Sequence, residues 1–469
     1  MRRYAFRAHR LQVSDRVAVL AAVMVAATSF GALAQEIPLE AAARAFDEAK
    51  TLSAADGGRL WSRPLAGPMF FVDRSSRSVV ANQADPAGTL KPVANVFTGA
   101  LPEEMAIANT AIDWLGIRWT MVVWPLPELR YARGRLLMHE LFHRIQDDLG
   151  LPAANPANNH LDVSEGRIWL QLEWRALSEA LIRAGDDRHR AVADALAFRL
   201  HRRSLFAGAA DEERALELNE GLAEYTGYKT CGLPETVLPD RVAIRLDQQQ
   251  GGTGFVRNFA YVSGPAYGLL LDAADPAWRK SLTKDSDLGD LLRAAMQIGE
   301  LPQGNAELLR AAERYDGRAL ISAEKAREAQ RQARLAEYRA RFVDGPVLLL
   351  PASGDVSYSF DPNGIEAYSD VSSVYAPLRA TDAWGVLEVT SGGAMLERRD
   401  GRVHSFRVPA PADPTARPVA GEGWTLRLSP GWSIADGSRP GDLTLRPAQA
   451  GANAQPESRP GSADTRPPE

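Results

Sequence analysis

The sequence predicts an α+β protein with a small β-rich N-terminal lobe, a mostly helical remainder and a small all-β module at its C-terminal end. Three patterns indicate this fold class. Residues 66–124 hold short apolar runs separated by Gly and Pro, residues 133–342 keep a helical spacing of apolar side chains, and β-prone runs return from residue 347. With 469 residues, the chain is long enough for two or three domains.

The first 34 residues have the pattern of a secretory signal peptide. Met1–Arg16 carries five arginines, Val17–Ala27 is apolar, and Ala32-Leu33-Ala34 supplies a small-residue cleavage site. We therefore expect an exported protein, periplasmic or secreted, with no membrane span after cleavage. An uncleaved N-terminal anchor is the alternative, although a span needs ~20 apolar residues. Removing five arginines and one aspartate changes the net charge from −5 to −9. That charge argues against nucleic acid as a partner.

An α/β lobe is predicted for residues 35–132. Apolar side chains that share one side predict a helix over residues 37–60. Strands are expected at Met69–Val72 and Trp119–Trp124, and Pro125 ends the second of them.

Helices are predicted through most of residues 133–345, the region that also carries the candidate site. Two of them, Arg167–Arg183 and His189–Phe206, are expected to form a hairpin. The basic run Arg199–Arg203 is expected on the solvated side of its helix, and His160 in an exposed loop. Loops are expected at Gly150–Asn159, Ala184–Asp187, Gly208–Asp211, Cys231–Gly254 and Leu301–Gly304.

Residues 346–448 change to short β-prone runs between Gly, Pro and Asp turns, which predicts a small all-β module. The expected strands are Val347–Leu350, Tyr358–Phe360, Gly385–Val389, Val403–Val408 and Trp424–Leu428. Residues 449–469 are rich in Pro, Gly, Ser, Ala and charge, and are expected to be disordered.

A helical segment carries the string His139-Glu140-Leu141-Phe142-His143. Because residues four apart share a helix face, the two imidazoles point the same way and could bind one tetrahedral zinc, with Glu140 in reach of a bound water. The alternative is a chance match on an ordinary amphipathic helix. The single cysteine, Cys231, is expected to be buried, so a metal site must use histidine and carboxylate ligands.

A second string, Leu218-Asn219-Glu220-Gly221-Leu222-Ala223-Glu224-Tyr225, resembles the second zinc-binding helix of gluzincins, the thermolysin and zinc-aminopeptidase group. The resemblance implies that Glu220 is the third ligand of one zinc ion and that Glu224 orients a zinc-binding histidine. Seventy-six residues separate His143 from Glu220, far more than is usual in gluzincins. Glu165 and Asp162 therefore stay open as alternative third ligands.

A third string, Tyr261-Val262-Ser263-Gly264, is similar to the Tyr-x-x-Gly helix start of zinc aminopeptidases. In those enzymes the tyrosine hydroxyl stabilises the tetrahedral intermediate, which implies a catalytic role for Tyr261. Tyr267 is the second candidate for this role. A buried structural tyrosine is the alternative. Arg257 could contact a substrate carboxylate, although a solvated arginine is the default.

The resemblance implies a zinc-dependent metallopeptidase that hydrolyses peptide bonds of a peptide or protein substrate, and the predicted signal peptide adds that it is exported. A zinc-activated water would attack the carbonyl, with Glu140 as general base. The strand Trp119–Trp124 would line the cleft and pair with the extended peptide, as its counterpart does in gluzincins. No segment resembles the amine-binding motif of aminopeptidases, which favours an endopeptidase. The alternative is a catalytically inactive secreted binding protein on a metallopeptidase-like scaffold; the oligomeric state stays open.

Overall fold

The fold is described by a computed structural model for residues 37–103, 105–252, 254–353, 356–360, 364–400 and 402–448. It is mixed α+β with an N-terminal β region and a C-terminal all-β region, which confirms the predicted α+β class and the place of its two β regions. The predicted signal peptide, residues 1–34, and the predicted tail, residues 449–469, lie outside the described residues. Within the described ranges, no helix combines the length and the apolar character that crossing a membrane requires.

The chain divides into two compact units. Among the described residues, the first consists of residues 37–160 and 169–308, and the second of residues 161–168 and 309–448. The helices and strands up to residue 313 are, in chain order, α1 Leu39–Asp56, β1 Met69–Asp73, β2 Ser78–Ala81, β3 Lys91–Val93, β4 Val96–Ala100, β5 Thr110–Trp114, β6 Ile117–Trp124, α2 Arg130–Gln146, α3 Ser164–Ile182, α4 Gly185–Ser204, α5 Ala209–Leu216, α6 Leu222–Thr230, α7 Leu238–Gln249, α8 Asn258–Ala274, α9 Leu288–Ala295 and α10 Gly304–Glu313.

The first unit contains one sheet of six strands in the order β3-β4-β2-β1-β6-β5. Strand β6 pairs in parallel with β1 along Thr120–Trp124 and antiparallel with β5 along Ile117–Met121. The expectation that Trp119–Trp124 pairs with a substrate is therefore wrong for Thr120 and Met121, which are paired on both sides. Val122–Trp124 continues past the start of β5, and its pairing with a substrate stays a prediction. Strand β5 buries only its last residue, Trp114, and forms one edge of the sheet.

Helix α2 packs against β5, β6 and α6. Its apolar residues Leu137, Leu141 and Ile145 recur every four positions and are buried, which fixes the opposite side of this helix toward the site. The predicted hairpin is present as α3 and α4. Helix α7, in contrast, lies inside the predicted loop Cys231–Gly254; its buried Leu238, Val242 and Leu246 have helical spacing, and a proline in the first turn is compatible with a helix.

The elements that follow are α11 Gly317–Arg339, β7 Val347–Pro351, β8 Ser357–Phe360, β9 Ile365–Ser369, β10 Ser372–Tyr375, β11 Leu378–Asp382, β12 Gly385–Val389, β13 Ala394–Arg399, β14 Arg402–Pro409, β15 Val419–Gly421, β16 Trp424–Leu428, β17 Trp432–Asp436 and β18 Leu443–Pro447. The strands form a seven-stranded sheet, β17-β18-β7-β14-β13-β10-β9, and a five-stranded sheet, β15-β16-β12-β11-β8. Their shared core includes Leu348, Trp384, Phe406 and Leu426. All five strands expected in this module are present.

Candidate metal centre

Three side chains of the first unit converge on one point. Helix α2 supplies His139 and His143, and a π-helical turn, Glu217–Gly221, supplies Glu220. The two Nε2 atoms are 3.2 Å apart, and Glu220 Oε2 lies 3.4 Å from each of them. In a tetrahedral zinc site with bonds of about 2.0–2.2 Å, neighbouring donor atoms are about 3.4 Å apart. The separations and the donor set therefore fit a single zinc ion.

Each histidine is held by its other nitrogen. His139 Nδ1 is 2.9 Å from Glu224 Oε2, and His143 Nδ1 is 2.8 Å from Gln146 Oε1. Because both partners are oxygen acceptors, each Nδ1 atom carries a hydrogen, and both Nε2 atoms are the ones that face the common point. The sequence suggested this orienting role for Glu224 but did not identify Gln146.

Gln146 is the first member of an amide chain that continues away from the ligands. Its Nε2 donates to Asn219 Oδ1 at 3.0 Å, and Asn219 Nδ2 donates to the carbonyl of Ala154 at 3.0 Å. Each amide therefore has one orientation that satisfies both of its neighbours. The sequence signal was present, since Gln146 lies three residues after His143 on the same helix face.

Arg135 supports Glu224 from the other side. Its guanidinium donates to Glu224 Oε1 at 2.8 Å and to the Tyr228 hydroxyl at 3.0 Å. Glu224 thus bridges Arg135 and His139, which are one turn apart on α2. Arg135 was not identified from the sequence, although its position four residues before His139 places it on the ligand face.

Buried ion pairs hold the π-helical turn at its first residue. Glu217 accepts hydrogen bonds from Arg199, which also contacts Asp287 and Glu173. The expectation of a solvated run at Arg199–Arg203 is therefore wrong: Arg199 is 1% exposed and Arg202 fully buried. His160 is likewise not an exposed loop residue, because its side chain is buried and its Nε2 lies 2.8 Å from Glu213 Oε1.

The far end of the π-helical turn packs directly against α8. A Cβ on Gly264 would lie 2.3 Å from the Cα of Gly221, so only glycine permits this approach. Helix α8 thereby brings Tyr261 beside the ligands, where its ring stacks on that of His139 with 5.5 Å between centroids. Tyr267 points elsewhere: it is fully buried and donates to Glu173 at 2.7 Å, so it does not line the cleft.

Glu140 is buried beside the ligands without a fixed partner for one oxygen. The side chain is 5% exposed, and its Oε2 has no hydrogen-bond partner among the described residues. Burial raises the pKa of Glu140, and the neighbouring imidazoles only partly offset this. A carboxylate with a raised pKa that lines the cleft is suited to accept a proton from a water molecule there.

The metal-free site already favours positive charge. Burial would lower the pKa of His139, but hydrogen bonds with Glu220 and Glu224 outweigh it and raise this pKa to about 10. Burial would raise the pKa of Glu220, yet hydrogen bonds with His139 and His143 hold it well below its usual range. Three carboxylates around two imidazoles thus retain a proton where a divalent cation would be attracted.

The centre opens into a cleft of about 420 Å³. One wall is the open edge of the sheet, where Asn109, Thr110 and Ala111 lie at the start of β5. The opposite side includes Asn155 and Arg257. An extended chain could therefore lie along β5 with its backbone close to the ligands.

Comparisons of the chain with models of protein families, with curated proteins and with solved structures found no match. Among the described residues, the group that could hold a metal ion consists of His139, His143 and Glu220. The alternative ligands Glu165 and Asp162 do not belong to this group.

Proposed function

We propose that the protein is a zinc-dependent metallopeptidase of the gluzincin type. The observation that carries the proposal is the His139, His143 and Glu220 group, whose donor atoms have the separations of a tetrahedral zinc site. The buried Glu140 next to it adds the general base that hydrolysis needs.

When bound, the zinc ion supplies Lewis-acid chemistry: it makes water acidic near neutral pH and polarises the substrate carbonyl. Glu140, which lines the cleft, accepts the proton of the attacking water and delivers it to the leaving amide nitrogen. Its raised pKa favours both transfers, because the carboxyl group must gain and lose a proton in one cycle.

Tyr261 is the second catalytic side chain. Its ring rests on His139, and its hydroxyl interacts with Glu220 and Arg257, at the rim of the ligand group. From there it donates a hydrogen bond to the oxyanion that develops on the scissile carbonyl. Burial raises the pKa of Tyr261, so the hydroxyl keeps its hydrogen at neutral pH.

An endopeptidase fits the cleft better than an aminopeptidase. The open edge of β5 can bind an extended chain by backbone hydrogen bonds, independently of where that chain ends. Among the carboxylates that line the cleft, Asp147 pairs with Arg118, Glu220 and Glu224 contact the histidines, and Glu140 is the proposed general base. None is left to bind a free amine among the residues described at the cleft.

We further propose that the enzyme is exported, on the basis of the sequence of residues 1–34. N-terminal sequencing of the protein from its host tests this, with Gln35 as the expected first residue. An N-terminus upstream of the apolar run in a membrane fraction would instead indicate the uncleaved anchor.

The test of the activity combines zinc analysis with cleavage of a mixed peptide library. Glu140→Gln should keep zinc and lose about 10²–10⁴-fold in activity. The matched control is Glu235→Gln, which changes a glutamate that is 76% exposed and contacts Lys229. A zinc-free wild type, or a fully active Glu140→Gln variant, would overturn the proposal. Zinc binding without any cleavage would favour the inactive binding protein.

Zinc content also tests the third ligand. Glu220→Ala should lose zinc, and Glu165→Ala should retain it, because only Glu220 belongs to the ligand group. The opposite result would transfer the assignment to Glu165.

A further inference from the structure

We propose that Arg257 binds a carboxylate of the substrate, so that the enzyme prefers peptides with a carboxylate one or two residues from the scissile bond. This inference rests on the proposed peptidase function and adds a substrate class to it. The carboxylate can be the C-terminus of a peptide or the side chain of Asp or Glu.

Arg257 is held at the rim of the ligand group. It directly precedes α8, one turn before Tyr261, and donates to Glu220 Oε1 at 3.1 Å and to Asn155 Oδ1 at 3.1 Å. Together with the Tyr261 hydroxyl, these two contacts hold the guanidinium in place before a ligand binds, which lowers the entropy lost on binding. The side chain is 55% exposed, and a guanidinium has five N–H donors, so donors remain for a ligand in the cleft.

The other two arginines of the cleft are already paired with carboxylates that lie outside the ligand group. Arg118 contacts Asp113 at 2.8 Å and Asp147 at 2.9 Å, and Arg135 contacts Glu224 at 2.8 Å. The carboxylate partner of Arg257 is Glu220, which a bound zinc ion would share. Of the three, Arg257 therefore has the most positive charge left for a substrate.

The charge of the whole cleft supports an anionic ligand. The side chains of Asp147 and Arg118 neutralise each other, which leaves three carboxylates of the centre against two guanidinium groups. A divalent ion changes this balance to one net positive charge. The chain itself has a net charge of −5, so the loaded cleft is a local exception that attracts anions.

The position of Arg257 limits how far the carboxylate is from the reacting bond. One oxygen of Glu220 faces the imidazoles and the other accepts a hydrogen bond from Arg257. A single carboxylate therefore separates the guanidinium from the point on which His139, His143 and Glu220 converge. An extended peptide advances about 3.5 Å per residue. A carboxylate on Arg257 is therefore one or two residues from a carbonyl at that point.

Binding to an inactivated enzyme tests this directly. Zinc-loaded Glu140→Gln protein is titrated by calorimetry with the peptide acetyl-Ala-Ala-Phe-Ala-Ala, as free acid and as carboxamide. Carboxamides with Glu in place of each Ala in turn form a second arm, which separates a side-chain from a terminal carboxylate. We expect at least one carboxylate peptide to bind about 10- to 100-fold more tightly than the parent amide.

Adding Arg257→Gln should reduce that preference to within about twofold, and Arg257→Lys should retain part of it. The matched control is Arg118→Gln, which also removes a cation of the cleft, but one that is paired with Asp113 and Asp147, and should reduce the preference far less than Arg257→Gln. Zinc content and melting temperature are measured for each variant, so that affinities are compared at equal loading.

The outcomes separate the two proposals. Equal binding of acid and amide peptides, no binding of any of them, or a preference that survives Arg257→Gln overturns the inference. Cleavage of library peptides by wild type without a carboxylate preference overturns the inference and leaves the peptidase proposal intact. Carboxylate-selective binding that depends on Arg257, without cleavage of any peptide by wild type, overturns the peptidase proposal alone.

Discussion

Zinc affinity should depend on Glu224, although Glu224 is not a ligand. Its Oε2 accepts from His139 Nδ1 at 2.9 Å, and its Oε1 accepts from Arg135 at 2.8 Å. Glu224→Ala removes both contacts. Arg135 is one-third exposed and can bind water instead, whereas the His139 side chain is 6% exposed and loses its acceptor. The ring can then turn or take the other tautomer, and both changes misdirect Nε2.

The expected loss of zinc affinity follows from the different exposure of Arg135 and His139. Loss of a group that orients a metal-binding histidine weakens metal binding by about 10- to 100-fold, or about 1.4–2.8 kcal/mol. Glu224→Ala should lie at the upper end, because the buried Nδ1–H stays unpaired. Glu224→Gln should lie at the lower end, because its amide oxygen can still accept from His139 while its NH₂ group faces Arg135.

The measurement is a zinc competition titration against a chelator of known affinity at fixed pH. Glu235→Gln serves as control and should bind zinc within about twofold of wild type, since its side chain is 76% exposed and contacts Lys229. Circular dichroism verifies that each variant is folded. If folded Glu224→Ala binds zinc as tightly as the control, Glu224 does not orient His139 and the reasoning fails.

Three further results are expected. Gln146→Leu should weaken zinc binding about tenfold in the same titration, since His143 Nδ1 loses its acceptor; unchanged affinity would contradict this. Because the pKa of His139 is about 10 in the zinc-free protein and about 6.5 when unfolded, its contribution to stability is complete below pH 6.5 and declines toward pH 10. Thermal unfolding of zinc-free protein should show this decline relative to His139→Gln, and a parallel pH dependence would refute it. Arg199→Met should lower the free energy of unfolding in urea by about 3–5 kcal/mol, because buried carboxylates lose their partner. On the same helix, exposed Arg190→Gln should change it by less than about 0.5 kcal/mol, and equal effects would count against a buried network.

The parts of the centre that depend on local geometry could be predicted from the sequence. Two histidines four apart on a helix must share a face, and their neighbours Leu137 and Leu141 identify the buried side. Glu220 could be suggested only by its surrounding string, because no spacing rule reaches across seventy-six residues. Gln146 was missed for a different reason: an amide on a helix has no distinctive signal until its partner is known.

Apart from helix α7, which has a local helical spacing of apolar residues, the incorrect expectations concern contacts between distant segments. The sequence correctly places the basic run Arg199–Arg203 in a helix. The carboxylates that neutralise its arginines come from other segments of the chain and include Glu173 and Asp287. The arginines can be buried because they are paired with these carboxylates, and the sequence of a single helix does not show that pairing. The same holds for the sheet. Which of β5 and β6 forms the edge depends on β1, more than forty residues earlier.

The seventy-six residues between His143 and Glu220 help to hold Glu220, the proposed third ligand, in place. Much of the intervening chain forms α3 and α4, which supply Glu173 and Arg199 to the buried ion pairs. Arg199 holds Glu217 at the start of the π-helical turn, three residues before Glu220. The hairpin of α3 and α4 thus provides the ionic support of the turn that carries the proposed third ligand. A loss of zinc affinity in folded Arg199→Met protein would connect the two.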